Sequence, residues 1–220
     1  MLLLRMTGAV ILAAGGSSRF GQPKQLLPFR GKTLVSTIIN AARDAGCSPV
    51  VVVIGSNGEK IRPELAHANV IEVRNENWQR GIGSSIRSGV QALTDHAPDV
   101  EAILLLVCDQ PAVNARVIQD LIATHETTKK AIVASSYADT VGVPALFDHS
   151  LFERLLSLSD EAGAKSIILQ NPERVARFAF PEGAIDIDTW EDWEKLNSGS
   201  ASPKTISKGP AKSHDEPQRS

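Results

Sequence analysis

Four short stretches in which nearly every residue is apolar constrain this chain more than anything else in it: Ala9–Ala13, Val50–Ile54, Val70–Val73 and Ala102–Val107. A strand that is apolar at successive positions, rather than at every second one, has to be covered on both faces. That is the situation of parallel strands in an α/β sheet. Helix-period segments lie between these runs, at Thr33–Ala45, Gly58–Ala66, Ser84–Leu93 and Asn114–His125. In the first, Leu34, Ile38, Ile39 and Ala42 share one face, Asn40, Arg43 and Asp44 point outward, and Gly46 stands where a C-cap glycine belongs. The alternation predicts an α/β fold, a doubly wound and mostly parallel sheet flanked by helices.

The second half is less regular. Strands are expected near Ala131–Ala134, Ala145–Phe147 and Val175–Phe180, and helices at Ser150–Leu158, Ala164–Gln170 and Thr189–Leu196. From Asn197 to Ser220 there is one large aliphatic residue, Ile206, and no aromatic. Such a segment cannot offset its ordering entropy by burial, so residues 1–196 are expected to form one domain and 197–220 a disordered polar tail.

Composition narrows the function. Lys and Arg number 23 against 25 Asp and Glu, a formal net charge of -2. That balance argues against a dedicated nucleic-acid or anionic-membrane binder. The two cysteines, Cys47 and Cys108, have no metal-ligand spacing and are read as buried free thiols, which makes a reduced, cytoplasmic setting the expectation. The start, Met1–Met6, is too short for a signal-peptide core, and no apolar run reaches the ~18–20 residues of a spanning helix. None of the five histidines has ligand spacing with another His or Cys, so no zinc site is expected.

The chemistry concentrates after the first strand, in Leu12-Ala13-Ala14-Gly15-Gly16-Ser17-Ser18-Arg19-Phe20-Gly21-Gln22-Pro23-Lys24. The C-terminal edge of such a sheet is the usual ligand crevice. Gly15 and Gly16 let the backbone approach a ligand and turn N–H groups toward it, Ser17 and Ser18 add hydroxyls, and Arg19 and Lys24 put two cations on one loop, a combination suited to phosphate. An ordinary strand-to-helix turn with two surface cations is the plainer alternative. The loop is not a dinucleotide fingerprint, because Ser17-Ser18-Arg19 follows Gly16 and the second strand ends Ile54-Gly55-Ser56-Asn57 without an acid. Nor is Gly31-Lys32-Thr33 half of a P-loop, since Leu26 stands where its first glycine belongs; Gly31 is read as a turn.

Asp109 follows the fourth apolar run directly, so its carboxylate is expected in the crevice, although a turn or capping aspartate would look the same. Asp186 and Asp188, two apart on an extended segment, project to one side and together with Asp109 suit a hard divalent ion. Asp188 also fits an N-cap for the following helix, and the two roles stay open. Ser84 and Ser85 at a helix start can cap it or bind an anion there. Asn75 can hydrogen-bond a base or ribose, and Trp78 suits packing or stacking equally.

Taken together, these segments resemble the MobA-like nucleotidyltransferases, specifically the molybdenum cofactor (molybdopterin) cytidylyl- and guanylyltransferase group. The similarity lies in Leu12–Arg19 with Gly21, Lys24 and Leu27-Pro28; in Asn75-Glu-Asn-Trp78-Gln-Arg-Gly81-Ile-Gly-Ser84-Ser85; in Cys108-Asp109-Gln110-Pro111; in Gly142-Val143-Pro144-Ala145-Leu146-Phe147; in Asp160–Ala164; and in Asp186–Asp192. It runs from about Ala9 to Leu196. Phe20 and Ile82 stand where methionines are usual, and Val143 where the nearest cytidylyltransferases often carry histidine. The Ala13-Ala14-Gly15 opening is closer to the cytidylyl branch.

The resemblance implies transfer of CMP, less readily GMP, from an NTP to a phosphorylated pterin-type acceptor, with Mg²⁺ as cofactor. Arg19, Lys24 and Asp109 would be catalytic. Leu12–Ser18, Lys24, Asn75, Gly81, Ser84 and Ser85 would bind the nucleotide, and Asp109, Asp186 and Asp188 the metal. Docking to a molybdoenzyme or its chaperone is a further implied partnership. A sugar, polyol or acid phosphate as acceptor, or a non-catalytic nucleotide-binding role, are the alternatives.

Overall fold

The computed structural model describes residues 6–16 and 20–197. Ser17, Ser18 and Arg19, and the expected tail beyond Asn197, lie outside the described residues.

The chain begins with β1 (Thr7–Ala13), followed by a short hairpin of β2 (Pro28–Phe29) and β3 (Lys32–Thr33). Arg30 and Gly31 make its two-residue turn, both with positive φ (50° and 79°), so Gly31 is the turn residue expected of it. α1 (Leu34–Asp44) starts where the Thr33 side chain accepts a hydrogen bond from the Ser36 N–H at 3.2 Å, and Gly46 beyond its end has φ +90°. Then come β4 (Val50–Ile54), α2 (Gly58–Leu65), β5 (Ile71–Arg74), α3 (Ile82–His96), β6 (Ala102–Val107) and α4 (Ala115–Thr128). The remainder is β7 (Ile132–Tyr137), β8 (Thr140–Asp148), α5 (Phe152–Leu156), α6 (Ala164–Gln170), β9 (Val175–Ala179) and α7 (Trp190–Asn197).

Seven strands form one sheet in the order β5-β4-β1-β6-β8-β7-β9. β5, β4, β1 and β6 are mutually parallel, β8 is antiparallel to both β6 and β7, and β9 is parallel to β7. The expected mostly parallel, doubly covered sheet is therefore present. Residues alternate strictly between its faces. Ile11, Val52 and Leu104 join α1, α2 and α4 in one core, while Val10, Val51 and Leu105 join α3, α5 and α6 in the other.

Local differences from the sequence reading have plain causes. β8 extends well beyond Ala145–Phe147, because Gly142, Val143 and Pro144 interrupt its apolar pattern and a register shift between Ala134 and Ser135 moves the pairing. α3 opens two residues before Ser84, so neither Ser84 nor Ser85 is its first residue. α5 is shorter than Ser150–Leu158, since a tight 3-10 turn occupies His149–Leu151. Both cysteines are buried and free, as expected. Burial pushes the Cys47 thiol up to about 12 and that of Cys108 still higher, so both stay protonated at neutral pH. Among the described residues no helix is long and apolar enough to cross a membrane.

α3 lies close against the sheet at Gly89, where an added Cβ would sit 2.4 Å from Val10 Cγ1 and 2.8 Å from Val53 Cγ2. Gly89→Ala should therefore cost about 1–3 kcal/mol through overpacking. At roughly 2–4 °C per kcal/mol for a chain of this size, calorimetry should show a midpoint a few to about ten degrees lower.

Candidate functional site

The parallel strands β1 and β6 are neighbours, so the segments leaving their C-terminal ends emerge side by side. Between those segments and the start of α3 lies a cleft of about 500 Å³. Leu12, Ala14, Gly15 and Gly16 line it from β1, and Val107, Cys108 and Asp109 line it from β6. Trp78, Gly81, Ile82 and Ser85 form the wall at the start of α3.

Lys24 reaches the cleft from a 3-10 turn, Lys24–Leu26, and its Nζ lies 2.7 Å from Asp109 Oδ2 and 3.4 Å from Asp188 Oδ1. Three distant parts of the chain thus converge on one ammonium group. Burial alone would lower the Lys24 pKa, but the charges and hydrogen bonds of Asp109 and then Asp188 outweigh it and hold the value above that of an ordinary lysine. Lys24 is accordingly a cation at every physiological pH.

Packing explains how Asp188 arrives. Ile187 is fully buried in a small core with Phe20, Leu27, Phe29 and Leu34, which anchors the segment before α7 beneath the β2–β3 hairpin. The Ile187 N–H also donates to the Asp109 carbonyl at 3.0 Å. On α7, Trp190 lies against Phe20 with ring centroids 5.3 Å apart, and the Trp193 indole N–H donates to the Pro28 carbonyl at 3.2 Å. The choice left open for Asp188 is decided by its neighbours. Thr189 and Asp192 form the helix-opening pair, with Asp192 Oδ2 accepting from the Asp188 and Thr189 N–H groups, so the Asp188 carboxylate is not the cap. Asp186 lies on the side of Tyr137, whose phenol is held above its ordinary value by burial, aided by the charges of Asp186 and Asp109. Among the described residues no three His, Cys, Asp or Glu side chains gather closely enough to hold a metal by themselves.

The Asn75 segment is tied inward. Asn75 is buried, and its Nδ2 donates to Ser84 Oγ at 2.8 Å and Ser85 Oγ at 3.0 Å while its Oδ1 accepts from the Asn77 N–H at 2.9 Å. The Ser84 hydroxyl is directed to the Gly81 carbonyl at 2.8 Å. Trp78 packs over the glycine loop: a Cβ on Gly16 would meet its ring at 3.1 Å, and one on Gly55 would meet its Cβ at 2.9 Å. Gly81 and Gly83 are needed for a similar reason, since a Cβ at either would press into the 159–162 backbone at 2.3 Å or less.

Several residues that shape the cleft carried no clear signal in the sequence. Gln25 is buried, with its Nε2 donating to the Ala13 and Gly15 carbonyls at 2.8 and 3.0 Å. Gln110 donates to the Val143 and Gly183 carbonyls at 3.1 and 3.0 Å, and Tyr137 donates to the same Val143 carbonyl. The available hints were that Gln25 directly follows Lys24 and that Gln110 lies inside the Cys108–Pro111 segment. Gly15 itself is exposed, and a Cβ there would meet nothing within 4 Å.

A glycine loop, a cation and two carboxylates at the switch point of a parallel sheet define a nucleotide-handling class of site. Residues 9–175 match the model of the MobA-like NTP transferase domain, and the chain belongs to that family. A protein of Paenarthrobacter nicotinovorans named nicotine blue oxidoreductase is 32% identical over 199 residues, 85% of this chain and 94% of that one. The bifunctional protein GlmU of Syntrophotalea carbinolica is 36% identical over 127 residues, but the match spans only 26% of its length. Among solved structures, Rv0371c of Mycobacterium tuberculosis is 30% identical with a TM-score of 0.75, covering 87% of this chain and 96% of that one. The same protein is known in complex with manganese.

The wall of the cleft yields a pH prediction. Asp160 is paired with Arg87, and with Arg80 at 2.7 Å, and the Arg87 hydrogen bond above all holds its carboxyl below the ordinary value of 3.8. A depressed folded pKa gives stability that is complete above the unfolded value and lost as pH falls through the folded one. In urea unfolding at stepped pH, Asp160→Asn should be less stable than wild type at neutral pH, and the gap should narrow below pH 3.8.

Proposed function

We propose that this chain is a nucleotidyltransferase that moves CMP, less readily GMP, from an NTP to a phosphorylated molybdopterin-type acceptor, releasing pyrophosphate. The observation that carries the transferase reading is the meeting of Lys24, Asp109 and Asp188 beside Gly15 and Gly16 at the mouth of one cleft. The acceptor and base rest on the resemblance of the Ala13–Gly15, Asn75–Ser85 and Asp186–Asp192 segments alone.

In this reaction a phosphate oxygen of the acceptor forms a bond to the α-phosphorus as the bond to pyrophosphate breaks. The nucleophile is already anionic at neutral pH, so the site needs no general base and works by positioning and charge neutralisation. N–H groups of the Ala14–Gly16 loop receive phosphate oxygens, and Arg19 supplies a further cation from the same loop. Asn75 holds Ser84 and Ser85 in place at the wall. Asp109 and Asp188 are the pair that would hold a divalent cation, Mg²⁺ by preference, since Mg²⁺ takes one or two carboxylates and completes its shell with water and phosphate. Asp186, the third expected ligand, lies on the side of Tyr137 and does not gather with them. Such a cation would supply charge neutralisation to the phosphates. With Asp109 and Asp188 engaged in holding it, Lys24 would be the cation left to neutralise the α-phosphate and the departing pyrophosphate. The manganese complex of Rv0371c supports a divalent cation as the cofactor.

Val143 favours a second acceptor class, a sugar, polyol or acid phosphate, because it puts no polar side chain where the nearest cytidylyltransferases often carry histidine. The Paenarthrobacter relative's name raises a redox alternative. Against that alternative, the β1 loop lacks the dinucleotide fingerprint.

Pyrophosphate release from each NTP with Mg²⁺ and a panel of phosphorylated acceptors tests the reading. Turnover with CTP and a phosphorylated pterin is the expected result. Turnover only with another acceptor would replace that substrate, and consumption of a reduced nicotinamide without pyrophosphate would overturn the transferase reading. Lys24→Ala and Asp109→Ala should each lower turnover by at least ~10²-fold, comparable to losing one oxyanion-type donor. Removing the resident ammonium should have the opposite effect on metal binding. Without nucleotide, Lys24→Met should bind Mn²⁺ at least ~10-fold more tightly than wild type by calorimetric titration, since unit charges ~4 Å apart interact by several kcal/mol even at an effective dielectric of ~20.

A further inference from the structure

The glycine loop after β1 is tied by the side chain of Gln25, which borders the same cleft. Gln25 is 4% exposed and immediately follows Lys24 in the same 3-10 turn. Its Nε2 carries two N–H donors, and they go to two carbonyls of the loop, Ala13 at 2.8 Å and Gly15 at 3.0 Å. In a trans peptide the N–H points opposite to the C=O. Fixing those two carbonyls on the Gln25 side therefore turns the N–H groups of Ala14 and Gly16 to the other side. Ala14, Gly15 and Gly16 all border the cleft. Backbone N–H groups turned to the same side of a loop, here those of Ala14 and Gly16, give an anion two donors to bind.

We propose that Gln25 is a positioning residue for polyphosphate: by holding the Ala13 and Gly15 carbonyls it sets the Ala14 and Gly16 N–H groups toward the phosphates of a bound NTP. The proposal rests on the nucleotidyltransferase reading and deepens it, since it assigns the direction of the loop's donors to a side chain outside the loop. It also explains why a residue as polar as glutamine is buried at the edge of the cleft, where its amide faces two loop carbonyls. An apolar residue there would leave the two carbonyls free to rotate, and the loop would present oxygens as readily as N–H groups. Because Gln25 and Lys24 share one turn, the same three residues place the cation and orient the amides.

The test uses inorganic tripolyphosphate beside the four NTPs, so that the phosphate site is probed without a base. In the full chain, Gln25→Met keeps side-chain volume and removes both donors, and Gln25→Glu sets an acceptor against the two carbonyls. Thermal unfolding establishes that each variant is folded. Affinity for tripolyphosphate and for the best NTP should fall in the order wild type, Met, Glu, with a loss of at least roughly tenfold for Gln25→Met, about 1.4 kcal/mol. The preference among the four bases should be unchanged, which a general collapse of the cleft would not preserve. In the wild type, the amide resonances of Ala14 and Gly16 should shift on adding tripolyphosphate, a measurement that needs no variant. Equal affinities in wild type and Gln25→Met, or amide signals that do not move, overturn the positioning role while leaving the transferase reading intact. A wild-type protein that binds neither tripolyphosphate nor any NTP overturns both.

Discussion

β1 lies between β4 and β6, and the connections on its two sides leave by opposite faces of the sheet. α1 carries the chain from β1 to β4 across one face, and α3 returns it to β6 across the other. Two parallel strands whose crossovers diverge cannot have their C-terminal ends covered by a shared helix, so a cleft opens there. Everything chemical in this protein is placed by that opening. The β1 loop lines one side, Asp109 the other, and the start of α3 closes the wall.

The cleft is finished by a segment from the far end of the described chain. Ile187 anchors it in the small core under the β2–β3 hairpin, and Trp190 and Trp193 add aromatic and hydrogen-bond contacts to the same region. Asp188 is then carried to within 3.4 Å of Lys24. The result is an ammonium between two carboxylates. Partial burial by itself would lower the Lys24 pKa, but the charges and hydrogen bonds of Asp109 and Asp188 outweigh it and raise the value, which makes the three groups mutually dependent.

Polar residues behind the cleft are spent on holding its shape. Asn75 gathers Ser84 and Ser85, Gln25 takes two loop carbonyls, and Gln110 joins β8 to the turn at Gly183. Glycines do related work by absence. Trp78 lies close against Gly16. It also lies against Gly55, as the 159–162 backbone lies against Gly81 and Gly83, at distances where a Cβ could not stand at these last three positions. A site made of backbone donors needs this support, since the direction of an N–H group is only as well defined as the peptide plane that carries it.

The amino-acid sequence alone determined the central fold, because the burial of β1, β4 and β6 on both faces is written in residues that are apolar at every position. It also marked the glycine loop, Lys24 and Asp109, because they follow apolar strands whose C-terminal ends open to the usual ligand crevice of such a sheet. Element ends that carry polar or proline residues were less legible, as the long β8 shows. Only the tertiary structure decided that Asp188 rather than the capping pair faces Lys24, that Asn75 turns inward, and that Gln25 holds the loop. The physical reason is that periodicity reports which face of an element is buried. The partner of a polar side chain depends on which distant segment packs beside it, and no local pattern records that.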